Sequence, residues 1–275
     1  MNTTQDLVRK HYATSNVFKS VLDALILSGK DISNINIKDL SPVDQFHIRG
    51  LKASQELASR CEMNEKMKVL DIGCGLGGTV RFIALEFGCH VLGVDISEEY
   101  CNAASKLSEL VGLSSLTEFK SGDAVDLLID DAKFDLVWSE HVQVNVENKK
   151  KYYSEIYRVL KMGGQLAIHE VFQEKPLEIY YPVPWADDES INFISTKSEF
   201  ENVIKEFGFR IKYMEDKTVV SANWFMKAAE KVKNQEPPPL SLQILMGKNW
   251  KEKFINMAKN LSEKRIMVIQ GILVK

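Results

Sequence analysis

The chain has 275 residues, 45% of them hydrophobic and 27% charged, with a formal charge of -3 and a pI near 6.0. That length suits one large domain or two small ones with a full core, and the lack of a basic excess argues against a dedicated nucleic-acid binder. The longest apolar stretches, Val21 to Leu27 and Ile266 to Val274, are too short or interrupted to span a bilayer, and the four scattered cysteines (Cys61, Cys74, Cys89, Cys101), with no C-x-x-C pair and no signal-peptide pattern, point to a reduced cytoplasmic protein without a membrane anchor.

The first 60 residues read as helices, including Thr4 to Ser28 and Gln55 to Arg60, and stand outside the pattern that follows. From Lys68 onward, short apolar runs alternate with longer segments of helical spacing, the rhythm of parallel βα units. Strands are expected at Lys68 to Ile72, His90 to Asp95, Leu116 to Ser121, Phe134 to Ser139 and Gln165 to Phe172. The helix after the first strand ends at Gly88. In the next, Ser97 is placed to cap a stripe of Tyr100, Ala104, Leu107 and Val111, and Gly112 stops it. A third helix starts near Asn148 and puts Tyr153, Ile156, Tyr157 and Leu160 on one face before the Gly163-Gly164 break. A loop with Pro176, Pro182 and Pro184 then leads to a helix over Thr196 to Phe207 and a strand-like Phe209 to Met214. Pro237 to Pro239 interrupt a helical region, and the β-branched run Ile266 to Val274 reads as the last strand.

The stretch Val69 to Gly78, VLDIGCGLGG, carries the chemistry. Gly73, Gly75 and Gly78 fit G-x-G-x-x-G, the spacing associated with a dinucleotide pyrophosphate. Asp71, two residues earlier, is an awkward neighbour for that group. Ligands of open α/β sheets bind beyond the carboxyl ends of the strands. The second strand ends in Asp95, suited to the two hydroxyls of a ribose; the third leads to Gly122-Asp123, suited to an adenine amino group; the fourth ends in Trp138-Ser139-Glu140-His141. A ligand with ribose, adenine and a short cationic arm satisfies this set. S-adenosylmethionine has that inventory, and Asp71 then favours its ammonium group while the glycines let the backbone approach closely. NAD accounts for the glycines and Asp95 but leaves Asp71 unexplained.

The chain here resembles the class I S-adenosylmethionine-dependent methyltransferases, whose motifs match Val69 to Gly78, Val91 to Asp95, Gly122-Asp123, Phe134 to Trp138 and Leu160 to Gly164. It resembles most their small-molecule branch, which includes sarcosine and dimethylglycine N-methyltransferases and quinone-biosynthesis-like enzymes, through Asp44 to Gly50, Trp138 to His141, Tyr181 to Ala186, Pro237 to Leu240 and Leu245 to Gly247. Met162 stands where that family usually has proline. The resemblance implies an α/β, Rossmann-like sheet of seven strands in the order 3-2-1-4-5-7-6, the last antiparallel. It implies one domain over residues 1–275, made of a helical cap (1–60), a cofactor-binding core (61–175) and an acceptor-side region (176–275). The implied reaction moves a methyl group to a small molecule, first an amine of the sarcosine or dimethylglycine kind, with O- or C-methylation as the alternative. An NAD-dependent oxidoreductase and a non-catalytic binding module are the readings from other classes.

The candidate cofactor residues are Asp71, Gly73, Gly75, Asp95 and Asp123, with Ile96, Ala124 and Ser139 at the same strand ends. His141 is the candidate proton acceptor, since an imidazole near its ordinary pKa suits that task; a loop histidine satisfied by hydrogen bonds is the plainer alternative. Glu140, Tyr181 and Trp185 are candidate acceptor contacts, aromatic faces being attractive to cationic amines, although Tyr180, Tyr181 and Trp185 also fit simple loop packing. His169 reads as packed within its strand, and His11 and His47 as belonging to the cap. The five histidines have no metal-site spacing, Cys74 reads as a small buried residue, and Lys149 to Lys151 read as a solvated helix face. A small-molecule acceptor is the expected partner, with no nucleic acid, membrane or metal; a homodimer is left open.

Overall fold

A computed structural model describes residues 3–13 and 15–275. Seven strands form one sheet: β1 Lys68–Ile72, β2 His90–Asp95, β3 Thr117–Ser121, β4 Phe134–Glu140, β5 Leu160–Gln173, β6 Arg210–Asp216 and β7 Ile266–Val274. Their order is β3-β2-β1-β4-β5-β7-β6, as the resemblance implies. The pairs β1·β2, β1·β4, β2·β3 and β4·β5 are parallel, whereas β7 runs antiparallel to both β5 and β6. The order reverses at β1: the chain steps outward from it to β2 and β3 and then crosses back to β4 on its other side, so a crevice opens at the carboxyl ends of these strands.

Four helices precede the sheet: α1 Thr4–His11, α2 Val17–Leu27, α3 Ile37–Asp44 and α4 Leu51–Ala58. The run expected as one helix from Thr4 to Ser28 is two, because Asn16 takes a left-handed conformation (φ 57°) that a helix interior does not accept. Within the sheet, α5 Gly78–Phe87 follows β1, α6 Glu98–Leu110 follows β2, α7 Lys149–Val159 lies between β4 and β5, and α8 Lys197–Glu206 precedes β6. The expected ends hold: Ser97 Oγ accepts the Tyr100 N–H, and Gly88 closes α5 at φ 70°. Between β6 and β7 the chain inserts α9 Thr218–Asn234, α10 Gln243–Met246 and α11 Trp250–Ser262, with the proline triplet between α9 and α10.

Two apolar layers sandwich the sheet. On one face Tyr152, Tyr153 and Ile156 of α7 and Phe200 and Ile204 of α8 pack on Leu70, Val137 and Leu166. On the other, Leu57, Val80 and Ile83 pack on Val69, Leu136 and Trp138. A third cluster joins α1 to the α9–α11 insertion over the crevice, and a fourth joins α2 and α3 to α6. Among the described residues, no helix is long and apolar enough to cross a membrane.

Candidate active site

A cavity of about 690 Å³ occupies the crevice. Its sheet side is lined by Asp71, Gly73, Gly75, Asp95, Ile96, Asp123 and Ala124, so seven of the eight expected cofactor residues converge there, together with Glu140 and His141. The eighth, Ser139, does not line it. Successive strand residues face opposite sides of a sheet, and Ser139 turns toward α7, where its hydroxyl donates to Glu170 Oε1 (2.6 Å) and bonds the Tyr152 hydroxyl (2.8 Å). Its expected cofactor contact is corrected to a bond inside the core.

The glycine turn is built for close approach. The N–H groups of Gly73 and Cys74 both point to Val94 O (2.7 and 3.1 Å), and Gly75 N–H donates to Asp95 Oδ2 (2.9 Å). Asp95 Oδ1 accepts from Ser97 N–H (2.9 Å), which orients the carboxylate and leaves further lone pairs toward the cavity. Asp123 Oδ1 closes an Asx turn on Val125 N–H (3.0 Å).

Asp71 is buried, and its carboxyl is pushed well above the usual carboxylate range, first by burial and then by the charges of Glu140 and Asp95. A site that raises the cost of one more negative charge favours a cation and opposes a pyrophosphate. This donor and acceptor set fits S-adenosylmethionine: Asp71 toward the ammonium, Asp95 toward the ribose, Asp123 toward the adenine.

Glu140 turns toward α4 and α5. It accepts from Thr79 Oγ1 (2.8 Å) and from Ser54 Oγ (3.1 Å to either oxygen), and His47 Nε2 lies 3.6 Å away. His141 lies beside it at φ 58° with its imidazole buried. Its Nε2 accepts the Ile48 N–H (3.0 Å), so the proton of the neutral ring sits on Nδ1. His169 Nε2 bonds Ile48 O (3.0 Å) and must therefore donate. The two rings, 4.6 Å apart, clamp both ends of one residue of the 44–50 segment. Burial, and then His169 and His47, hold His141 well below its ordinary pKa. Its accepting nitrogen is spoken for, so a proton-accepting role would first require release of Ile48.

Of the expected aromatic group only Trp185 lines the cavity, and its Nε1–H donates to Asn192 Oδ1 (2.8 Å). Tyr181 lies outside the lining, packed at the edge of the α1/α9–α11 cluster, so its acceptor contact is corrected to loop packing. Tyr180 stacks under Lys259 and Arg265 near the surface. Lys150 and Lys151 are exposed, as the solvated reading of their run expects, but Lys149 departs from it: its Nζ is largely enclosed by the carbonyls of Gln143 (2.6 Å), Phe193 (2.6 Å) and Val146, and burial lowers its pKa to about 8. Sequence reasoning also missed Arg81, wholly buried, which joins Asp44 (2.8 Å) to Leu76 O (2.6 Å) and ties the 44–50 segment to the glycine turn. An arginine inside an otherwise apolar helix run was the available signal. No group of His, Cys, Asp and Glu among the described residues has metal-holding geometry.

Residues 70–168 match the family model of a methyltransferase domain. Over these residues, about a third of the chain, the protein is similar to a methyltransferase domain. Tocopherol O-methyltransferase of Arabidopsis thaliana is 32% identical over 139 residues, which cover 50% of this chain and 40% of that protein. The matched stretches span less than half the length of the first curated relatives. In fold, the chain is similar over its full length to 60% of phosphoethanolamine N-methyltransferase 2 of Haemonchus contortus, solved with S-adenosylmethionine (TM-score 0.72, 19% identity). It is similar over 99% of its length to 98% of geranyl diphosphate C-methyltransferase of Streptomyces coelicolor, solved with S-adenosylhomocysteine (TM-score 0.72, 14% identity). These three names cover oxygen, nitrogen and carbon acceptors, so the methyltransferase domain does not by itself choose the acceptor atom.

Proposed function

We propose that the chain transfers the methyl group of S-adenosylmethionine to a small-molecule acceptor. The observation that carries this is the convergence of Asp71, Gly73, Gly75, Asp95 and Asp123 from three successive strand ends on one cavity. When bound, the cofactor supplies an electrophilic methyl group on a sulfonium. The protein's part is to hold it and the acceptor in line and to keep water out. Asp71 offers the ammonium a countercharge, Asp95 receives the ribose hydroxyls, and Ile96 and Ala124 border the adenine. The 44–50 segment and α1 cover the opposite side, where Tyr12 donates to Asn145 Oδ1 (2.8 Å) and Thr4 to Glu147 Oε2 (2.9 Å).

Alignment carries the chemistry in this reading. His141 acts as a clamp on Ile48, and Glu140 is the ionisable side chain at the boundary between the cofactor side and the acceptor side. The amine acceptor draws its support from the branch resemblance; of the expected aromatic group Tyr180, Tyr181 and Trp185 only Trp185 reaches the cavity, so that group gives the amine no added support over O- or C-methylation. The NAD reading meets Asp71 and Glu140 where a pyrophosphate would lie. Calorimetric titration with S-adenosylmethionine, S-adenosylhomocysteine and NAD tests the proposal: the first two should bind and NAD should give no heat. NAD binding without a response to either sulfur ligand would overturn it.

A further inference from the structure

The cavity has two halves of different origin. Its cofactor side comes from residues inside the 70–168 match; the opposite wall comes from outside it. Val8 enters from α1 and Tyr12 from just after it, Phe46 and Ile48 from the 44–50 segment, and Trp185 from the proline loop. The insertion between β6 and β7 adds Trp224 and Phe225 of α9, Leu245 and Met246 of α10, and Phe254 and Met257 of α11. Trp224, Phe225 and Phe254 form one aromatic wall, with ring centroids 4.8 to 6.2 Å apart.

Unpaired charge is kept off this wall: Asp44, which borders it, is bonded to Arg81 (2.8 Å). The lysines lining the cavity are Lys149 and Lys150, both from the start of α7, and the Lys149 ammonium is already enclosed by carbonyls. Lys253, the cation nearest in sequence to Phe254, points away, to Asp187 (3.1 Å) and Met246 O (3.4 Å). His11 of α1 likewise bonds Pro184 O (3.1 Å). A carboxylate placed against this wall would lose its hydration with no cation in exchange, a cost that excludes a small zwitterion. A hydrocarbon or ring surface would be stabilised in proportion to the area it buries, and the two methionines let the wall adapt to its shape.

We propose that the acceptor is a mainly hydrocarbon molecule, a ring or chain of low charge that lies against the wall built by α1, the 44–50 segment and α9–α11, with its reactive atom toward Glu140 and the cofactor side. The assignment rests on the methyltransferase reading for which ligand occupies the other half.

The test titrates the full chain, loaded with S-adenosylhomocysteine, with 4-octylphenol and with dimethylglycine as probes. Octylphenol should bind with a negative heat-capacity change, and dimethylglycine should give no heat. Trp224→Ala should weaken octylphenol at least tenfold, and Phe254→Ala likewise, while both keep wild-type affinity for S-adenosylhomocysteine, which doubles as the folding control. Dimethylglycine binding without octylphenol binding would overturn the apolar assignment and leave the methyltransferase reading intact. Octylphenol affinity unchanged in both variants would also overturn it. A chain that ignores S-adenosylhomocysteine would overturn the methyltransferase reading instead; the octylphenol titrations, repeated on that chain with circular dichroism as the folding control, would still decide the nature of the wall.

Discussion

Asp71 concentrates the electrostatics of the site in one side chain. Its carboxyl is buried beside Glu140 and Asp95, and all three causes of its shift disfavour ionisation in the unliganded protein. An ammonium group favours the ionised form, so binding a cationic ligand should draw this carboxyl toward ionisation and release protons to the extent that the free site holds them. At about pH 6, where an α-amino group is fully charged, S-adenosylmethionine binding should release protons, and affinity should rise with pH toward the raised pKa of the free protein. Calorimetry in two buffers of different ionisation enthalpy reads the release directly. Asp71→Asn should abolish it and weaken binding about tenfold or more, in line with loss of a hydrogen bond to a charged group. A heat independent of buffer in the wild type would show that Asp71 is already ionised and that the ammonium lies elsewhere.

At the scale of elements, the site depends on the 44–50 segment being pressed onto α5. Gly78, the first residue of α5, is where they touch: a Cβ there would stand 2.6 Å from Gln45 Nε2 and 2.8 Å from Asp44 C, and closer still to Asp44 O. Two of those three neighbours are backbone, and the Asp44–Arg81 ion pair behind them is buried, so they have little room to yield. Gly78→Ala should therefore destabilise the protein by about 1–3 kcal/mol, the usual cost of overpacking, and displace Phe46, His47 and Ile48 from the cavity. Urea melts together with cofactor affinity check this; unchanged values would mean that the segment is not seated there. The glycine was visible in the sequence, but its neighbour 34 positions upstream was not. That contrast explains what was legible. β1, β2 and β7 matched their expected bounds because each is a compact apolar run closed by Asp, Gly or the end of the chain. The candidate cofactor set was legible because it sits at consecutive strand ends, where local order dictates spatial order. The apolar wall draws on six separate stretches of chain, and no local period marks them as neighbours. Ser139 and Lys149 were misread for a related reason: a polar residue at the end of an apolar strand looks free to meet a ligand, and a lysine in a basic run looks solvated, until the tertiary partners Glu170 and Phe193 are known.

For the whole molecule, burial has set acids and bases against each other, and pH therefore redistributes stability. Glu170, inside the core of β5, accepts from the Ser139 hydroxyl and the Val142 N–H, faces the Tyr152 hydroxyl and the Lys149 ammonium, and is pushed by burial from 4.5 to about 7. With its folded pKa above its unfolded one, it contributes stability that is fully present below about 4.5 and lost as pH rises through about 7. His169, lowered to about 4, and His141 and His11, also lowered, act in the opposite sense: their contribution is present above 6.5 and is lost as pH falls through their folded values. Glu170→Gln takes one acid out of this opposition, leaving Asp44, Asp71 and Asp95, which burial also raises; the amide oxygen can keep the bonds from Ser139 and Val142 without a charge to bury. Relative to wild type, the variant should gain stability between pH 5 and pH 8, by on the order of 3 kcal/mol for a shift of this size. Its own acid limb should be steeper than that of the wild type, because the stability that wild-type Glu170 gains as pH falls no longer offsets the loss at the histidines and at carboxyls held low, such as Glu56 and Glu155. Urea unfolding of both proteins at pH 5, 6.5 and 8 measures the difference. A wild-type to variant gap that stays constant across that range would show that Glu170 titrates normally despite its burial.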